Sequence, residues 1–96
     1  MNTIEHLLVC LAEECAEVQK EVTKALRFGL EDKWKSDLNT SEKIAYECCD
    51  ILAVIEMLKQ ESVIPQLDSD SLIKDKKERV LKYMNYAKNN GVLRDG

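Results

Sequence analysis

Two short carboxylate pairs carry the chemistry this chain can offer: Glu14 and Glu17 within LAEECAEVQK, and Glu47 and Asp50 within AYECCDILAV. Each pair is embedded in an apolar helical stripe, where an unpaired charge is costly. Four carboxylates brought together beside a core cannot all stay ionised without a cation. The spacing therefore points to a Mg2+ site built from two helices. Magnesium takes hard oxygen ligands in an octahedron and keeps several waters, and Mn2+ accepts the same donors. His6 is the only histidine. It falls opposite the carboxylates on its helical wheel and reads as solvent-facing. Without a Glu-x-x-His pair, di-iron chemistry and zinc are both disfavoured.

The elements that must position these groups are legible from periodicity. Ile4, Leu7, Leu8, Leu11, Cys15, Val18, Val22, Ala25 and Leu26 recur at helical spacing and predict a first helix over about 3–28. Asn2 and Glu5 can form its capping box, and Gly29 a left-handed C-cap. Residues 30–38 read as a connecting loop, longer than most, with Trp34 its large aromatic. A second helix is expected to start after Asn39 or Thr40, with Glu42 completing a capping box, and to run to about Glu61, on the stripe Ile44, Cys48, Ile51, Leu52, Ile55 and Leu58. Pro65 and the run DSDS break the chain. A third helix is expected from Ser69 or Ser71 to Lys88, on Ile73, Val80, Met84 and Ala87, with a fraying tail over 89–96.

On wheels of about 100° per residue, Glu14 lies about 60° and Glu17 about 120° from Leu11. Glu47 and Asp50 lie at the same offsets, about 60° and about 120°, from Ile44. An acidic pair at i, i+3 says little alone, because such faces are usually solvated. Two pairs of one hand on neighbouring helices say more: packed antiparallel, the pairs face a common cleft. Lys43 sits one turn before Glu47 and can share that cleft. Lys76 and Arg79 lie near the apolar face of the third helix, beside Tyr83. They either snorkel or reach a polyanion held by the metal. Lys20, Lys24 and Arg27 read as surface cations near a helix C-terminus. Trp34 either stacks on a base or covers the core edge.

Composition excludes several classes. A chain of 96 residues, 45% hydrophobic, is expected to form one domain over 1–96. Its core is small, and dimerisation would extend it. A net charge of −4 argues against a nucleic-acid polymer as partner. No run of about 18 apolar residues could span a membrane, and MNTIEHLL lacks the basic start of a signal peptide, so the cytosol is the expected location. Cys10, Cys15, Cys48 and Cys49 do not follow zinc spacing. They read as reduced, mostly packing residues, with Cys15 and Cys48 on the apolar stripes.

Glu13-Glu14-x-x-Glu17 followed by Glu47-x-x-Asp50 resembles the E-E-x-x-E…E-x-x-D signature of the MazG-like, all-α nucleoside triphosphate pyrophosphohydrolases. The similarity covers most of residues 4–60, including ALRFG at the end of the first helix. The resemblance implies an all-α bundle of about three helices per chain, completed as a homodimer or homotetramer. It implies Mg2+-dependent cleavage of a nucleoside triphosphate to monophosphate and pyrophosphate. Glu14, Glu17, Glu47 and Asp50 would be the metal-binding and catalytic residues, with Lys43, Lys76, Arg79 and Trp34 on the substrate. Phosphoribosyl-ATP pyrophosphatases share the carboxylate signature. A non-catalytic helical dimerisation module with vestigial carboxylates is the alternative from another class.

Overall fold

The computed structural model describes residues 1–94, and among them the regular structure is three helices with no strand. They are α1 (Thr3–Phe28), α2 (Thr40–Gln60) and α3 (Ser69–Asn89). The chain divides into two compact units, residues 1–65 and residues from 66 onward.

In the first unit α1 packs on α2. The end of α1 lies beside the start of α2, and Glu14 lies beside Glu47, so the two helices form an antiparallel hairpin. A pair of helices can bury only the seam between them. Leu7 (6% exposed) and Leu58 (fully buried) are its covered hydrophobic residues, while Leu26 of the same predicted stripe stands 86% exposed. The packing expected of Cys15 and Cys48 fails for this reason. Both are exposed, as is Cys49, and Cys10 is half-buried; all four are free thiols.

Capping chemistry sets the helix ends. The Glu5 N–H donates to the Asn2 side chain at 2.8 Å, but the reciprocal bond comes from the Asn2 amide at 3.2 Å and not from its backbone. The expected box at α1 is thus half formed. At α2 the box between Asn39 and Glu42 is complete. Gly29 ends α1 at φ 101°, ψ 152°. That is not the left-handed helical conformation expected of a C-cap but an extended one at positive φ, which essentially only glycine adopts.

The connection over residues 29–39 is irregular, as expected, but it is tied down. The first N–H groups of a helix lack intrahelical partners. Here Thr40 donates to the Asp32 carbonyl at 3.1 Å and Ser41 to the Leu30 carbonyl at 2.9 Å. The Trp34 N–H donates to Asp32 Oδ2 at 3.3 Å. The loop therefore caps α2 with its own backbone and holds Trp34 in place.

In the second unit the side chain of Asp68 caps α3 by accepting from the Ser71 N–H. The helix has no buried residue. Residues 90–92 continue its backbone bonding, with the Val92 N–H on the Ala87 carbonyl at 3.1 Å and Gly91 at φ 75°. Residues 90–92 are thus hydrogen-bonded to the end of α3. The end of the expected tail, residues 95–96, lies outside the described residues.

Candidate metal centre and its adjoining cavity

The hairpin brings Glu14 of α1 together with Glu47 and Asp50 of α2: one oxygen from each lies within 4.8 Å of the others. Glu14 and Glu47 are half-buried and Asp50 is exposed. Glu17 stands outside this trio, exposed, yet close enough to act electrostatically on Glu47. The antiparallel seam thus converges three of the four expected carboxylates tightly and leaves the fourth at the edge.

Glu47 feels the crowding most. Its carboxyl is pushed above its ordinary value of 4.5, first by loss of water, then by the Asp50 charge, a hydrogen bond with Glu14, and the Glu14 and Glu17 charges. Each cause disfavours a further negative charge, and a cation would relieve all of the repulsive ones. The donor set is carboxylate oxygen throughout, with no imidazole or thiolate. It suits a hard cation such as Mg2+. His6 is exposed, as its wheel position implied.

A cavity of about 400 Å³ lies in the same unit, lined by Lys24, Phe28, Asp32, Trp34, Thr40 and Lys43. Lys43 connects the two features, since it precedes Glu47 by one helical turn, a rise of roughly 6 Å. Trp34 and Lys43 were expected at the cleft, and both line this cavity. Lys24 was expected to decorate the surface; its side chain is indeed 40% exposed, but it does more than that. It is half-buried, lines the cavity, and pairs with the buried Glu21 at 3.6 Å. Helical periodicity misses this role of Lys24 because the other side of the cavity comes from the loop residues Asp32 and Trp34.

Glu21 itself carried no expected role. It is 7% exposed, and its Oε2 is buried without a hydrogen-bond partner. Its wheel position between Glu14 and Glu17 was the available signal. Phe28, Asp32 and Thr40 were likewise not singled out; the loop hydrogen bonds bring them together, and no helical period encodes those.

Lys76 and Arg79 belong to the second unit. They share a shallow concavity of α3 with Val80, Tyr83, Met84, Ala87 and Leu93. Their expected neighbourhood with Tyr83 is therefore present.

Among the described residues no helix is long and apolar enough to cross a membrane. Compared with family models, curated proteins and solved structures, the chain matches none.

Proposed function

We propose that this protein is a divalent-cation-dependent nucleoside triphosphate pyrophosphohydrolase of the MazG-like type. The observation that carries the reading is the trio Glu14, Glu47 and Asp50, with its oxygens within 4.8 Å, one helical turn from Lys43 and an aromatic-lined cavity. Acidic trios are common on surfaces. A trio with two half-buried members that raises its own Glu47, beside cations and stacking surfaces, is better explained by a metal-bound polyanion.

Glu14, Glu47 and Asp50 would hold Mg2+, which when bound supplies charge neutralisation for the polyphosphate and polarises the phosphorus. Lys43 lies where it can meet a phosphate oxygen as a point charge. Glu17, outside the trio, would accept a proton from the attacking water. Water adds at the α-phosphorus, the bond to the bridging oxygen breaks, and pyrophosphate leaves with its electron pair. Lys76 and Arg79 share a face of α3 with Tyr83, and within that second unit the two cations would suit an anion. Large apolar residues left open on α1 and α2, among them Leu8, Val22, Leu26 and Leu52, support assembly as an even homo-oligomer.

Phosphorus NMR of the products tests the reaction. A panel of nucleoside triphosphates with Mg2+ should give monophosphate and pyrophosphate. Orthophosphate as the primary product, or no turnover with Mg2+ or Mn2+, would return the chain to a non-catalytic helical module.

A further inference from the structure

The cavity beside the acidic trio contains one carboxylate, and its placement has a consequence for substrate choice. Asp32 is half-buried and lines the cavity. Its Oδ2 accepts from the Trp34 N–H, while its Oδ1 has no hydrogen bond among the described residues. Its backbone carbonyl accepts both the N–H and the hydroxyl of Thr40, so the residue is held at two levels. Phe28 and Trp34 offer aromatic surface, and Lys24 and Lys43 offer donors. Lys24 is itself anchored by the buried Glu21.

We propose that this cavity reads the nucleobase, and that Asp32 makes it select bases carrying an exocyclic amine over uracil and thymine. The proposal rests on the nucleotide reading of the neighbouring trio. A base seated against Phe28 and Trp34 gains stacking without regard to its identity. Identity enters through the polar groups. A carboxylate accepts from an amine such as N4 of cytosine, while the Lys24 ammonium donates to ring nitrogens and carbonyls, Lys43 being left to the phosphate. Uracil and thymine present a carbonyl where cytosine carries the amine. Against Asp32 that carbonyl leaves a part-buried acceptor unpaired, and such sites discriminate more strongly than apolar ones. The cavity and the trio also adjoin along α2. Lys43 and Glu47 are one turn apart, a rise of roughly 6 Å that a ribose can span between base and α-phosphate.

Trp34 is the chain's only tryptophan and reports directly on the cavity. The test is a fluorescence titration of the full-length protein, without metal, with CMP, AMP, UMP and TMP. Saturable quenching is expected, with CMP or AMP at least about tenfold tighter than UMP and TMP. Asp32→Asn should shrink that ratio to within about twofold, because its amide can donate to a carbonyl as well as accept. Asp32→Ser keeps an acceptor for the Trp34 N–H. It serves the same comparison should the asparagine variant fail to fold. No saturable quenching, or a wild-type ratio under about twofold, overturns the proposal, as does a ratio that neither variant moves. Selective binding without pyrophosphate release would sink the hydrolase reading alone. Hydrolysis without base preference would sink the base-reading pocket alone.

Discussion

Glu47 stands where the two helices press their carboxylates together, and its protonation links stability to pH. Its folded-state value lies above the ordinary 4.5. The folded protein therefore holds this proton more tightly than the unfolded chain. The stability it contributes is fully present below 4.5 and is lost as pH rises through the raised value. In metal-free protein the melting temperature should accordingly fall as pH rises above 4.5, and Glu47→Gln should flatten that part of the profile. Bound Mg2+ would act in the opposite sense. At about 100 times its dissociation constant it should add about 2.7 kcal/mol, at least about 10 °C for a domain of this size. The glutamine variant should lose that response. Calorimetry of both proteins across pH, with and without Mg2+, reads every outcome. A melting temperature indifferent to Mg2+ in the wild type would remove the metal site from consideration. Asp50 offers the complementary case, since it is exposed and packs little. Asp50→Asn should leave the fold intact and lower pyrophosphate release at least about a hundredfold, more than the loss of an outer-sphere partner costs.

The connection between α1 and α2 decides where the cavity walls stand. Two local features hold it, and each predicts a different change. Gly29 lies at φ 101°, and a Cβ built there meets nothing within 4 Å. Gly29→Ala would then act through backbone strain alone, by about 1–3 kcal/mol. Thermal melts should show a loss of several degrees, and a variant as stable as the wild type would mean that the loop relaxes at no cost. Asn39 is the N-cap of α2, and its Oδ1 accepts from the Glu42 N–H at 2.9 Å. Asn39→Ala should cost about 1 kcal/mol. Because the cap adjoins Thr40, whose hydroxyl and N–H hold Asp32, this variant should also weaken nucleotide quenching of Trp34. Gly29→Ala and Asn39→Ala together thus separate strain in the loop from anchoring of its far end.

At the scale of the molecule the apolar surface dominates. Leu7 and Leu58 are the buried hydrophobic residues, while Leu26, Leu52, Met57 and others stay open. So small a covered core does not balance the entropy of ordering the chain. Association that covers the outer faces of α1 and α2 would supply the missing burial. Sedimentation velocity at micromolar concentration should therefore find a dimer or a larger even oligomer. Leu26→Glu, at 86% exposure, should shift it toward monomer with loss of melting temperature. A stable, well-folded wild-type monomer would overturn the assembly.

Local information determined the helices. Periods of apolar residues, Asn39 with Glu42, and the break at Pro65 placed α2 and α3 within a residue or two of their observed ends. The matched wheel offsets of Glu14 and Glu47 also sufficed to foresee that their carboxylates meet, since two stripes packed antiparallel leave them no other side. Tertiary structure decided what lies outside a helical period. It left Cys15 and Cys48 exposed, because a seam between two helices is narrower than the stripes that form it. It set Glu17 outside the trio. It also built the cavity, by folding residues 29–39 back so that unpaired N–H groups of α2 find the carbonyls of Leu30 and Asp32. That return brings Asp32 and Trp34 against Lys24 and Lys43, a neighbourhood set by backbone hydrogen bonding, which side-chain spacing along the chain does not encode.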